Sequence, residues 1–269
     1  MFDLPATSLA EYRRVLCVQP HPDDTDIALG ATVARLAEGG ARVTYLSVTD
    51  DAAGLSGDQG RLPYEQRVKI RREEQRRAAA LLGVAEVLEL GFPDAGDWSA
   101  YEARNRIVGV IRRVQPDILL TVDPWMRYEA HGDHRKTGFA AAEAALLHGF
   151  VAVGTNEARK SGIDPDPAYT LPAVGFFFTE NPNTFLDAGR WMNAKHLALA
   201  EHSSQWDERE YRQLLEYDTQ RGAYYGRRLD TEYAEALLVV ETGQLHIFPE
   251  LLSMAADFRI DHANRKQEE

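Results

Sequence analysis

Residues 15–40 read VLCVQPHPDDTDIALGATVARLAEGG. The apolar run at 15–19 predicts a buried strand, and the helical pattern at 27–38 ends at a pair of glycines, a common C-terminal stop for helices. The polar turn between the two therefore lies at the carboxyl end of the strand. A strand followed directly by a helix is the repeating unit of an α/β fold.

The same alternation of strand and helix continues through the first half of the chain. Further β-rich segments occupy 43–48, 87–90 and 118–122, and helical patterns occupy 65–82, 101–114 and 134–149. Such alternation predicts a mostly parallel sheet with helices on its faces. We expect an α/β protein with a Rossmann-like three-layer αβα architecture.

The pattern changes after residue 150. A polar stretch with prolines at 155–172 predicts a long surface loop, and a β-rich run at 174–178 precedes helical patterns at 192–201 and 207–225. We expect residues 1–269 to form a single domain. Its Rossmann-like half would occupy 1–150, and an added α+β portion at 151–269 would complete the pocket.

Composition excludes several classes of function. The formal net charge of -12 at pH 7 argues against nucleic acid as a partner, because nucleic-acid binding needs a concentrated positive surface. The single cysteine, Cys17, lies in an apolar run, which indicates a buried hydrophobic residue and excludes disulfides within the chain. Because neither a basic leader nor an apolar run of membrane-spanning length is found, we expect a cytoplasmic protein with no membrane partner.

Two polar motifs follow predicted strands. His21-Pro22-Asp23-Asp24 comes directly after the first strand, and the motif at 131–134, His-Gly-Asp-His, follows the fourth strand and opens the next helix. A doubly wound sheet usually places its first and fourth strands side by side, where the winding direction reverses. We therefore expect the two motifs to meet in one crevice.

The residue types in these motifs suit a catalytic metal centre. Zinc in such centres takes three protein ligands drawn from histidine, cysteine and carboxylate, and leaves one position for water. His21, Asp24 and His134 would supply that set, and the bound water would be acidified toward a pKa of about 7. Asp23 is then the expected general base. Fe²⁺ fits the same ligand types as Zn²⁺.

His131 precedes His134 by three residues, on the same face of the new helix. It is a candidate either to stabilise the oxyanion of a tetrahedral intermediate or to protonate a leaving amine, and both roles stay open. A helix N-terminus disfavours imidazolium, so the acid role would need a supporting carboxylate such as Asp133 or Asp123. Each motif alone is more typical of a turn or a helix cap, and only their joint occurrence favours chemistry.

Both motifs resemble those of the LmbE/PIG-L family of zinc-dependent N-acetylglucosaminyl de-N-acetylases, and the likeness extends over most of the chain. The resemblance implies a hydrolase that removes the N-acetyl group from a small N-acetylglucosamine-type molecule. It also implies His21, Asp24 and His134 as zinc ligands. Asp23 would be the base, and His131 would act on the transition state.

Two weaker features of the resemblance concern substrate binding. Arg71 lies in an Arg-x-x-Glu helix that ends in Leu-Gly, and Asp94 ends a Gly-Phe-Pro-Asp turn. The resemblance implies that both side chains contact sugar hydroxyls. A solvated helix face is the alternative for Arg71, and a turn-forming role is the alternative for Asp94.

Other segments are similar to family segments that have no assigned role here. We interpret 195–205 and 233–236 as sites of helix packing and pocket closure, with substrate contact by His202 or Gln205 as the alternative. The chain departs from the family pattern at 25–26, where Thr-Asp follows the Asp pair, and at 51–52, where Asp-Ala replaces a Gly-Glu pair. These departures leave the substrate open, because neighbouring residues orient metal ligands.

Other classes of function compete with a deacetylase. A nucleotide-dependent dehydrogenase shares the fold class, but the first turn lacks Gly-x-Gly-x-x-Gly and carries acids where a pyrophosphate would sit. An amidase of a glucosamine-thiol conjugate and a non-catalytic metal- or sugar-binding protein stay open as alternatives. The expected partner is a small amino-sugar molecule, and a homo-oligomer is a further open alternative.

Overall fold

A computed structural model describes residues 9–154 and 163–247 of the chain. The strands are β1 (Arg14–Gln19), β2 (Arg42–Thr49), β3 (Glu86–Phe92), β4 (Ile118–Val122), β5 (Ala173–Phe177), β6 (Thr184–Asp187) and β7 (Ala234–Glu241). The helices are α1 (Asp24–Glu38), α2 (Tyr64–Leu81), α3 (Ala100–Val114), α4 (Gly132–Leu147), α5 (Met192–Glu201) and α6 (Glu208–Gly226).

The strands form a 7-stranded sheet in the order β3-β2-β1-β4-β5-β7-β6. Strands β1 to β5 pair in parallel, and β1 lies between β2 and β4. This confirms the predicted mostly parallel α/β sheet and the neighbouring positions of the first and fourth strands. The winding direction reverses between β1 and β4, and at such a point open α/β sheets usually bind ligands at the carboxyl ends of their strands.

Residues 234–236 begin strand β7, an element that the sequence did not predict, and this strand packs against α6 and α1. Ala234 begins β7, which runs antiparallel to both β5 and β6. The sequence of β7, AEALLVVE, is rich in residues that favour helices, and pairing between two strands overrides that preference. Strand β6 has only four residues, too few for a clear alternating pattern.

The core lies on both faces of the sheet. Helices α1, α2 and α5 cover one face and α3 and α4 cover the other, and neighbouring residues of β1 alternate between the two apolar clusters. Cys17 is completely buried on the first face, as predicted, and burial raises the pKa of its thiol. The three-layer αβα architecture is confirmed.

The second half of the predicted surface loop, residues 163–172, contains no helix or strand, and residues 155–162 lie outside the described part of the chain. Among the helices of residues 9–154 and 163–247, none has the length and apolar character needed to cross a membrane.

Candidate metal centre

The two polar motifs lie next to each other at the carboxyl ends of β1 and β4. His21 and Asp23 lie in the turn between β1 and α1, and Asp24 is the first residue of α1. His131 occupies the N-cap position of α4, and His134 lies in the first turn of that helix. Adjacent parallel strands end at the same edge of the sheet, so residues from distant parts of the sequence share one site.

His21, Asp24 and His134 present their donor atoms to a common point, with all of these atoms within 4.8 Å of one another. Nδ1 of His21 lies 3.2 Å from Oδ2 of Asp24, and Nε2 of His134 lies 3.3 Å from Oδ1 of Asp24. Two tetrahedral ligands at zinc bond lengths of about 2.0–2.1 Å are about 3.3 Å apart. Two imidazoles and one carboxylate at these separations fit a divalent cation.

His21 is held from its second ring nitrogen as well. Nε2 lies 3.2 Å from Oδ1 of Asp94 and 3.8 Å from Oδ2 of Asp133. Asp133 is itself fixed by the indole N–H of Trp98 and the amide of Ala95. A carboxylate on the far nitrogen of a ligating histidine fixes its ring and tautomer. Asp94 therefore lies against a candidate ligand, while sugar contact by Asp94 stays a prediction.

The three candidate ligands shift one another's pKa values. Burial alone would lower the pKa of His21, but hydrogen bonds to Asp133, Asp24 and Asp94 outweigh it and raise that pKa well above its usual value. Burial would raise the pKa of Asp24, and the charges of His134 and His21 hold it below its usual range instead. The site thus concentrates negative charge around two imidazoles, as a cation site requires.

Asp23, the predicted base, is fixed by Arg71. Nη2 of Arg71 donates to Oδ2 of Asp23 over 3.1 Å, and Asp51 and Glu74 hold the rest of the guanidinium. Arg71 has no exposed surface, so the alternative of a solvated helix face is wrong. Its contacts are with carboxylates of the chain itself, and its predicted contact with sugar hydroxyls stays a prediction.

His131 is exposed beside the candidate ligands, with its ring centroid 4.7 Å from that of His21 and 5.1 Å from that of His134. Its Nδ1 accepts the amide of Asp133 over 3.2 Å, so the neutral ring carries its proton on Nε2. Burial and the charges of His21 and His134 lower the pKa of His131. The arrangement leaves one N–H free to donate toward a bound group.

The side chain of His202 is not exposed. Its ring is completely buried, with Nε2 2.9 Å from Oδ2 of Asp26 and Nδ1 3.4 Å from Nη1 of Arg71. Substrate contact by His202 is therefore wrong for this structure. Gln205 donates to Asp51 over 2.8 Å, which links the same segment to the support of Arg71.

Glu129 is a site residue that the sequence did not reveal. Its Oε2 lies 3.0 Å from Nδ1 of His134, at ion-pair distance but without the angles of a hydrogen bond. Its Oε1 accepts a hydrogen bond from the backbone amide of His131 over 2.7 Å. Glu129 thereby faces His134 from the side opposite Asp24. The only sequence feature that could have pointed to Glu129 is its position two residues before the second motif.

Glu129→Gln should weaken zinc binding by about 10- to 100-fold, the usual effect of removing a carboxylate that supports a ligating histidine. The amide keeps the shape of the side chain but loses the negative charge beside His134. Competition with a chromophoric chelator measures the affinity, with Glu65→Gln at an exposed position of α2 as the matched control. Equal zinc affinity in both variants would show that Glu129 plays no part in holding the ligand.

Known proteins resemble this chain over most of its length. The model of the family GlcNAc-PI de-N-acetylase (PIG-L) matches residues 16–145, the part of the chain that carries both motifs. Diacetylchitobiose deacetylase of Thermococcus kodakarensis is 36% identical over 239 residues, which cover 89% of this chain and 87% of that protein. The chain belongs to the PIG-L family. The resemblance seen in its motifs is thereby confirmed.

Further relatives of this PIG-L chain cover most of its length. A 1D-myo-inositol 2-acetamido-2-deoxy-alpha-D-glucopyranoside deacetylase of Rhodococcus erythropolis is 29% identical, over 73% of this chain and 82% of that protein. The solved structure of N,N'-diacetylchitobiose deacetylase from Pyrococcus horikoshii superposes with a TM-score of 0.79 at 29% identity, covering 88% of this chain and 87% of that one. The PIG-L chain thus has the fold of a solved deacetylase.

Proposed function

We propose that the chain is a metal-dependent deacetylase that hydrolyses the N-acetyl group of a small N-acetylglucosamine-type molecule. The observation that carries this proposal is the convergence of His21, Asp24 and His134 beside Asp23 at one strand edge. The named activities of the relatives from Thermococcus and Rhodococcus, both deacetylases, support the same reaction.

In the proposed site, His21, Asp24 and His134 hold the metal. The chemistry that a divalent cation supplies there is polarisation of the amide carbonyl and acidification of water. We infer zinc as the resident ion, because two imidazoles and one carboxylate are a common donor set of catalytic zinc. Fe²⁺ is the alternative that the same donors accept.

Asp23 is the proposed general base. Arg71 donates to Oδ2 of Asp23, so Oδ1 is the oxygen left to take a proton from the attacking water. Addition of that water to the acetyl carbon breaks the carbonyl π bond and places negative charge on the carbonyl oxygen. The proton taken by Asp23 is then available to the leaving nitrogen when the C–N bond breaks. The products are acetic acid and the free amine, which ionise in water to acetate and an ammonium group.

His131 is the proposed donor to the carbonyl oxygen. Its Nδ1 is engaged by the amide of Asp133, so the N–H that it can offer is on Nε2. Preorganised donors aimed at a developing oxyanion are among the strongest contributions to hydrolytic catalysis. Of the two roles left open by the sequence, this tautomer favours oxyanion stabilisation over protonation of the amine.

Release of acetate tests the proposed function. The protein is incubated with diacetylchitobiose and with N-acetylglucosamine-inositol, with and without a chelator, and acetate is measured by a coupled assay. We expect acetate from at least one of these sugars, lost with the chelator and restored by added zinc. Acetate release that is unaffected by complete metal removal would contradict the proposal, as would the absence of release from N-acetylated amino sugars in general.

A further inference from the structure

Helix α1, which begins with Asp24, is interrupted at Leu29. The backbone of Leu29 (φ -139°, ψ 21°) is outside the helical range, so a short first part at 24–28 precedes a longer part that ends at Glu38. In a continuous helix, the amides of residues 31 and 32 would donate to the carbonyls of residues 27 and 28. An interruption at Leu29 puts these four backbone groups at new helix ends, where they need other partners.

Glu235 of β7 contacts the two amides. Its Oε1 accepts the amide of Ala31 over 3.2 Å and its Oε2 accepts the amide of Thr32 over 2.6 Å. A carboxylate at this place acts as an N-terminal cap for the longer part of α1, although it comes from a strand more than 200 residues away in sequence.

Arg221 of α6 contacts the two carbonyls. Its Nη2 donates to the carbonyl of Ile27 over 2.6 Å and to the carbonyl of Ala28 over 3.2 Å. A cation beside the last carbonyls of a helix also complements the helix dipole. Glu235 and Arg221 together therefore bond to the same four backbone groups that a continuous α1 would have paired with one another.

Lys195 of α5 completes this arrangement. It is fully buried, and its Nζ lies 2.8 Å from Oε1 of Glu235 and 2.7 Å from Oδ1 of Asp218, which also pairs with Arg221. A Cβ atom on Gly30 would lie 2.8 Å from Cγ of Lys195, so glycine is needed for the lysine stem to pass the break. We call Lys195, Asp218, Arg221 and Glu235 the break cluster.

The break cluster also accounts for two segments whose role the sequence left open. Lys195 begins the segment 195–205, and Glu235 lies in the segment 233–236. Three of these charged side chains are buried, and that of Arg221 is half-buried. Burying a charge is expensive unless it is paired, and here each side chain has a partner of opposite charge or a backbone group at the break. The interruption of α1 is thus built by specific residues.

The first part of α1 begins with the proposed ligand Asp24 and directly follows the proposed base Asp23. Its N-terminal end is tied to the motif turn, where the amide of His21 donates to Oδ2 of Asp24 over 2.8 Å. Its C-terminal end is tied to Arg221. A helical segment of five residues is not stable alone, so these ties set its direction relative to α4 and His134.

We propose that the break cluster positions the metal site by holding the first part of α1 at the angle that points Asp24 toward His134, with Asp23 directly before it. The expected effect of the cluster on kcat rests on the proposed function. Its expected effect on metal affinity does not. Its residues act through α1 and touch neither the ion nor the substrate.

Two variants of the full-length protein test the proposal. Glu235→Gln removes the charge that caps Ala31 and Thr32, and Arg221→Met removes the donor to the two carbonyls at a side chain that is 17% exposed. Arg221→Lys keeps a cation that can still donate to a carbonyl. The matched control is Leu82→Ala, a buried residue just beyond α2 and far from the strand edge that holds the site.

Zinc affinity, Tm, kcat and KM are measured well below the Tm of each variant. We expect Glu235→Gln and Arg221→Met to weaken zinc binding by about 10-fold or more and to lower kcat more than they raise KM, with partial recovery in Arg221→Lys. Leu82→Ala should lower Tm and leave zinc affinity unchanged within about twofold.

A purely structural break cluster would give the opposite pattern. Loss of Tm in Glu235→Gln and Arg221→Met, with zinc affinity equal to that of Leu82→Ala, would overturn the proposal. If Glu235→Gln does not fold, the partly exposed Arg221→Met decides the question alone. Zinc affinity is measured without substrate. A protein that is inactive on every sugar tested would therefore refute the proposed function, while the comparison of zinc affinities would still test the role of the break cluster.

Discussion

Asp23→Ala is expected to bind zinc as the unchanged protein does and to lose about 10²- to 10⁴-fold in kcat, the usual contribution of a positioned general base. Asp23 lies beside the candidate ligand Asp24, but its Oδ2 is taken by Arg71 and it is outside the group of donor atoms that converge on one point. Removing it should therefore separate proton transfer from metal binding. Zinc content and the rate of acetate release measure the two quantities.

The control for Asp23→Ala is Asp58→Ala, which changes an exposed carboxylate remote from the site. It should retain both zinc and activity. A rate for Asp23→Ala close to that of Asp58→Ala, at equal zinc content, would remove Asp23 from the role of base. Loss of zinc in Asp23→Ala would instead place it among the ligands.

His134→Ala should lose both zinc and activity. The variant lacks one of the three metal donors and leaves the carboxylate of Asp24 facing only His21. Loss of a residue that merely supports a ligand lowers metal affinity by up to about 100-fold, so loss of a ligand itself should lower zinc affinity further. Metal analysis after dialysis against a weak chelator measures the loss. Rate and zinc content should fall together.

An exposed histidine elsewhere in the chain provides the comparison for His134→Ala. His246→Ala removes an imidazole that lies outside the candidate metal groups of the described residues. It should bind zinc and release acetate as the unchanged protein does. Equal zinc content in His134→Ala and His246→Ala would contradict the proposed ligand set.

Much of the fold followed from local patterns. The alternation of apolar strands and amphipathic helices in residues 15–149 predicted the parallel half of the sheet, because each element there buries a face that its own sequence displays. Strands β6 and β7 were missed. Their pairing depends on partners distant in sequence, and AEALLVVE reads equally well as a helix.

The meeting of His21, Asp24 and His134 was predictable from the expected topology of the sheet. That topology places the carboxyl ends of β1 and β4 side by side. The roles of the three residues as ligands stay predictions. Long-range side-chain contacts were less accessible. Arg71 sits in a charged helix that looks solvated, and only the folded chain reveals that it is buried against Asp23.

The break in α1 was beyond local sequence reasoning for the same reason. Nothing in residues 24–38 marks an interruption except Gly30, and the groups that stabilise it come from α5, α6 and β7. Patterns of polarity predict which face of an element is buried. They do not predict which buried charges will meet when distant elements pack.

The most direct test of the metal centre is a crystal structure of the zinc-loaded protein with anomalous diffraction measured on both sides of the zinc absorption edge. We expect one strong anomalous peak bonded to His21, Asp24 and His134. A peak at another place in the chain, or a zinc-loaded protein in which His21 and His134 face separate regions, would contradict the proposed metal centre.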